Sequence, residues 1–279
     1  MRRIRLIAMW SLLGIALVMI GGCATRSAHR SSSVVQYLYP EGRPQADMPQ
    51  MPRLTLPVKI GIAFVPDTTP SPWGLTGMNK AELLSTVAAH FKQYDFVKSI
   101  EIISSAYLAP KGGFANLDQV RTMFDVDVIA LVSYDQTQFT DEGVASITYW
   151  TVIGAYVIPG EKNDTHTMVD AAVYDIPSRK LLFRAPGVSH IKSKATPVNL
   201  SEQLRKDSLA GITDASTALI TNLDESLTRF QERVKTSPQD YQVVKGAGYT
   251  GKSSLDGILV CLVLAIGGFR LWTHNQASK

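Results

Sequence analysis

Two periods run through the apolar positions of this chain, and they alternate. In "LPVKIGIAFVPD" (Leu56–Asp67), Ile60, Ile62 and Phe64 recur at every second residue, which predicts a strand ended by Pro66. In "MNKAELLSTVAAHFKQY", Leu83, Leu84, Val87, Ala88 and Phe91 fall on one helical face, with Asn79 placed to cap and Glu82 three residues on. "FVKSIEIISSAYL" (Phe96–Leu108) reads as the next strand, and Leu117–Met123 as a short helix capped by Asn116. "DVDVIALVSYDQTQF" (Asp125–Phe139) has the near-continuous apolar centre of a buried strand.

Two long β segments follow, Val144–Gly160 and Thr165–Ile191. "DIPSRK" makes a turn inside the second, between a strand ending near Tyr174 and one starting near Leu181. The last periodic stretch predicts a long helix from Asn199 or Ser201, with Ile212, Leu219, Leu223, Leu227, Phe230 and Val234 along one stripe. Gly211 is a candidate kink and Pro238 a stop. Residues 36–57, with five prolines, read as an extended lead-in, and "QDYQVVKGAGYTGKSS" as a linker without period. The order β-α-β-α-β followed by an antiparallel meander predicts the α/β class: a mixed sheet with helices packed on it and a long C-terminal helix. This order resembles the periplasmic α/β module of outer-membrane accessory lipoproteins.

Both ends are apolar. "LIAMWSLLGIALVMIGGC" (Leu6–Cys23) follows three arginines, and "LDGILVCLVLAIGGFRLW" (Leu255–Trp272) precedes a basic end. The first has the basic start, short apolar run and small residues of an export signal. Eighteen residues of the second span about 27 Å as a helix, enough for a thin bilayer. The chain of 279 residues carries a net charge of +4, but residues 23–252 hold 23 basic and 23 acidic residues. A neutral body excludes the basic footprint of a nucleic-acid binder. The two cysteines, Cys23 and Cys261, lie at or inside the apolar ends, so the body has no cysteine for a disulfide or a thiolate metal site. The expected organisation is a signal segment (1–22), a Pro/Ser-rich tether (23–55), an α/β envelope domain (56–236), a glycine-rich linker (237–252) and a hydrophobic sorting tail (253–279).

The body shows no G-x-S-x-G elbow, phosphate loop or H-E-x-x-H. Its densest chemistry is "EKNDTHTMVDAAVYD", where Asp164, His166 and Asp170 share one face of a strand while Val169, Ala171 and Val173 share the other. Two carboxylates and an imidazole suit a divalent metal. The bland reading is a solvated polar face, and the expectation is no metal and no cofactor. Asp125 and Asp127 enter a strand, His90 sits on the polar side of its helix, and His29 lies in the tether; Tyr149, Trp150 and Tyr156 are candidates to line a groove, with core the commoner reading of such aromatics.

Ile20-Gly21-Gly22-Cys23 resembles a bacterial lipobox, with Ile20 in place of the usual leucine. With "SSVVQYLYP" (Ser32–Pro40), "WTVIGAYVIPGEKNDTHTMVDAAVYDIPSRKLLFRAPG" (Trp150–Gly187) and the tail, the chain resembles the rhombotail lipoproteins. The resemblance implies lipidation at Cys23 and a GlyGly-CTERM-like tail cut by a rhombosortase, a rhomboid-type protease, in the region of Ser253 and Ser254. Asp256 departs from an uncharged span entrance. Several acyl chains on Cys23 would hold the protein on a bilayer where one would not. The expected protein is a non-enzymatic binding or scaffold lipoprotein of the bacterial envelope, on the outer membrane. Its expected partners are the membrane, the lipoprotein-processing enzymes and an envelope protein. Two alternatives stand: an accessory subunit of a secretion or cell-wall machine, and a metal-dependent hydrolase using Asp164, His166 and Asp170.

Overall fold

Pro57 lacks the N–H that a strand needs in its ladder, and it separates the first expected strand from a short strand in the segment expected as an extended lead-in. Strand β1 (Arg26–Ser31) and helix α1 (Val34–Leu38) come first, then β2 (Arg53–Leu56) before the proline and β3 (Val58–Phe64) after it. Helix α2 (Gly77–Phe91), β4 (Val97–Ile103), α3 (Gly113–Phe124), β5 (Val128–Glu142), β6 (Glu161–Asp175), β7 (Lys180–Ala195), α4 (Leu200–Thr236) and β8 (Gln242–Lys245) follow. The computed structural model describes residues 26–42, 51–67, 75–142, 161–246 and 249. The export segment, Cys23, the tail with Ser253 and Ser254, and the strand expected at Val144–Gly160 lie outside the described residues.

The fold is α/β with a mixed sheet, as expected. The strand order is β4-β3-β5-β6-β7, with β1 also on β5. β3 is parallel to both neighbours: Ile60 pairs with Ile100 on one side and Val128 on the other. The described chain divides into two compact units. One holds the described parts of 1–29, 137–166 and 190–211, the other those of 30–136, 167–189 and 212–279.

In the larger unit the sheet is apolar on both faces. On one face Ala63, Val65, Ile129, Leu131 and Tyr174 pack with Tyr37 and Leu38 of α1 and Phe114, Leu117 and Val120 of α3. On the other, Phe64, Val132 and Val169 pack with Leu83, Leu84 and Val87 of α2 and Ala215, Leu219 and Leu223 of α4. Burial on both faces is why β5 reads as a continuous apolar run rather than an alternation.

The expected tether (23–55) is structured in part: β1 pairs with β5, α1 puts Val34, Tyr37 and Leu38 into the core, and β2 lies in the expected lead-in (36–57). Other details also differ. The cap of α2 is Thr76, whose Oγ1 accepts the Asn79 N–H at 3.2 Å. Helix α3 starts at Gly113, before Asn116, and the Asn116 Oδ1 instead accepts the Tyr37 hydroxyl and the Ala109 N–H, both at 2.8 Å. The expected linker contains β8, which pairs in parallel with β2 from Arg53–Gln242 to Leu56–Lys245. Four residues are too few to show a period.

In the smaller unit the buried face is polar. Gln138, Thr140, Asn163 and Thr165 are all buried there. Gln138 Nε2 donates to the Leu204 carbonyl at 2.8 Å and to Thr165 Oγ1 at 3.3 Å. Asn163 Nδ2 donates to Ser193 Oγ, which donates to Asp207 Oδ2. Such a network is stabilising only while its members stay paired. Thr196 N–H donates to Asn199 Oδ1 at 2.8 Å, ordering the entry to α4.

Candidate functional site

Among the described residues, two places have the makings of a site. The first is a cleft within the larger unit, between one sheet face and helices α2 and α4. It encloses about 130 Å³. Its floor is buried Ile62, Val128, Val173, Leu182 and Leu223, and half-buried Phe91, Phe96, Val97 and Ile100 stand at its side. Gln231 is the single polar side chain among the described residues that line it. The helical stripes create this surface directly: Val87, Ala88 and Phe91 come from α2, and Leu223, Leu227, Phe230 and Val234 from α4, at steps of three and four. An apolar cavity of this order stays dry and takes an apolar guest. It is smaller than the roughly 300 Å³ at which whole-ligand pockets begin, so it fits part of a molecule, such as one end of an acyl chain.

The second place is in the smaller unit, on the exposed side of β6 and β7. Strand alternation turns Asn163 and Thr165 inward and Asp164 and His166 outward. His190, on β7, joins them. Asp164 Oδ1 lies 2.5 Å from His190 Nε2 and 3.1 Å from His166 Nε2. The two imidazoles stack with centroids 4.1 Å apart at 20°. The Phe139 ring meets His166 edge-on at 6.2 Å. All three side chains are partly exposed, at 37% for Asp164, 52% for His166 and 44% for His190.

Asp170, grouped with Asp164 and His166 by strand parity, does another job. It is buried, and Arg184 Nε donates to its Oδ1 at 2.7 Å. Burial pushes its carboxyl above the usual aspartate range, and Arg184 draws it part of the way back. Asp175, fully buried, is likewise raised by burial, with the Ser178 N–H donating to its Oδ2 at 3.0 Å. The expected core residues Val169, Ala171 and Val173 are buried. His90 is not isolated: its Nε2 lies 2.8 Å from Asp224 Oδ2, and the Tyr94 hydroxyl donates to Asp224 Oδ1 at 2.8 Å. Asp125 faces Lys59 and Asp127 faces Arg121, both at the surface. Tyr149, Trp150 and Tyr156 lie outside the described residues. Among the described residues no helix is long and apolar enough to cross a membrane.

No protein-family model and no curated protein matches the chain. Among solved structures, a PelC dodecamer from Paraburkholderia phytofirmans is similar at 10% identity, over 71% of this chain and 96% of that one, with a TM-score of 0.30.

Proposed function

We propose that this protein is a lipid-anchored bacterial envelope lipoprotein whose α/β body is a non-enzymatic binding module for an apolar chain end. The observation that supports this reading is the cleft. Its lining offers dispersion and apolar area, and its one polar side chain, Gln231, is an amide that does not exchange protons at ordinary pH. The anchor is supported by Ile20-Gly21-Gly22-Cys23 after a short apolar run, and the removable tail by Ser253 and Ser254 before Leu255–Trp272. The outer membrane is the proposed address, with an envelope protein as the further partner. The hydrolase alternative draws on Asp164, His166 and Asp170, and of these Asp170 is engaged by Arg184.

Two measurements test the reading. Labelling cells with a radioactive fatty acid should mark the wild-type protein and not Cys23→Ala; equal label in both would overturn the anchor. A fluorescent polyene fatty acid should bind the purified full-length protein at one equivalent. Ala130→Leu fills the cleft from the half-buried floor position on β5. Displacing two methylenes at about 0.8 kcal/mol each weakens binding about tenfold. Unchanged affinity in Ala130→Leu, with the thermal midpoint retained, would sink the binding assignment.

A further inference from the structure

We infer that Asp164, His166 and His190 form a binding site for a divalent d-block cation, with zinc as its natural probe. The inference is independent of the apolar cleft. Its first support is convergence. Two imidazole Nε2 atoms and one carboxylate oxygen, each from a separate side chain, have ligand atoms within 4.8 Å of one another. A tetrahedral zinc with bonds of about 2.0–2.1 Å places its ligand atoms about 3.3 Å apart. The separations here, 2.5 Å and 3.1 Å from Asp164 Oδ1, lie within about 1 Å of that spacing.

The second support is the donor set. Two imidazole nitrogens and a carboxylate oxygen suit zinc, nickel or copper and disfavour the all-oxygen ions calcium and magnesium. The third is placement: Asp164 and His166 share a strand face by alternation, and Phe139 meets His166 edge-on, while the His166–His190 stack is the contact that ligation would replace, because a bound ion lies near both ring planes. The side chains are partly exposed, so a bound ion would keep a coordination position open to solvent. Lys192 and Lys194 follow His190, and Lys162 precedes Asp164, all exposed. Lys162 shares the face of Asp164, and Lys192 and Lys194 that of His190, by two-residue alternation. Three ammonium groups on that face disfavour a bare dication and favour an anion, a carboxylate or phosphate, as the fourth ligand.

The test is titration of the untagged full-length protein in detergent with zinc chloride, followed by competition with a chromogenic chelator. One equivalent should bind at micromolar zinc, and excess magnesium should not displace it. His166→Ala and His190→Ala should each weaken binding by more than about tenfold. His90→Gln removes a His–Asp contact elsewhere in the protein and should change nothing. Cobalt in place of zinc should give the intense visible bands of low coordination, lost in both histidine variants. Matching far-UV circular dichroism of the variants establishes that they fold, as expected for exposed positions. Full zinc binding by the His166→Ala/His190→Ala double variant, or none by the wild type at micromolar zinc, overturns the site. It would then be a hydrogen-bonded surface cluster alone.

Discussion

Gly187→Ala is expected to lower the stability of the folded protein by about 3 kcal/mol. A Cβ at this position on β7 would lie 2.0 Å from the Ala215 carbonyl oxygen, 2.5 Å from the Leu219 nitrogen and 2.9 Å from the Leu219 Cα. All three atoms are backbone of α4, so no rotamer change relieves the overlap. Ala215 and Leu219 are themselves fully buried, and the Asn222 Nδ2 donates to the Pro186 carbonyl at 2.6 Å, one residue from the glycine. Lifting the helix would break that bond and open gaps around Leu219 and Leu223 in the core. Because α4 also supplies Leu223, Leu227 and Phe230 to the cleft, fatty-acid binding should fall with stability. Denaturant unfolding measures the loss. Gly77→Ala is the control: its Cβ would meet nothing, and in the first turn of α2 it should be neutral or stabilising. A loss below about 1 kcal/mol in Gly187→Ala would mean that β7 and α4 do not approach this closely.

The same glycine illustrates what a sequence exposes and what it hides. The period-two run Ile60, Ile62, Phe64 and the helical stripe from Leu83 to Phe91 are local, and both elements stand where the pattern places them. A glycine in a strand signals a close approach without saying to what. The cleft is hidden for a related reason. Its lining comes from β2, β3, α2, β4, β5, β6, β7, α4 and β8, and each contributing residue, taken alone, reads as ordinary core. His190 is a third case. Reading along one strand finds residues two apart, which yields Asp164, His166 and Asp170. The residue that completes the cluster is 26 positions on, across a hairpin. Its signal was present in the "DIPSRK" turn. A hairpin with Asp170 opposite Arg184 has Asp164, six residues earlier, opposite a residue six later, which is His190. Parity also cannot tell a covered face from an open one. Asp170 is buried where Ala172 and Tyr174 join the core with α1 and α3, whereas Asp164 is partly exposed.

That burial makes Asp170 a pH-sensitive test of the structure. Arg184→Met is expected to cost about 2 kcal/mol at neutral pH, less than a fully buried pair because about half of the Arg184 side chain is exposed. The cost comes from leaving a buried carboxylate without its donor. The sign follows from the raised carboxyl. Burial lifts Asp170 in the folded state, Arg184 opposes that lift, and the variant removes the opposition. A carboxyl whose folded value lies above its unfolded one favours folding most fully below the unfolded value, about 3.9. That contribution is lost as pH rises through the folded value. The gap between wild type and Arg184→Met should therefore be small in acid and widen toward neutrality. Asp170→Asn removes the charge itself, so Arg184→Met/Asp170→Asn should recover most of the stability that Arg184→Met loses. If Arg184 acted only through the packing of its aliphatic stem, the gap would be flat with pH and the asparagine would restore nothing. Denaturant unfolding of the four proteins from about pH 4 to 8 separates the two outcomes.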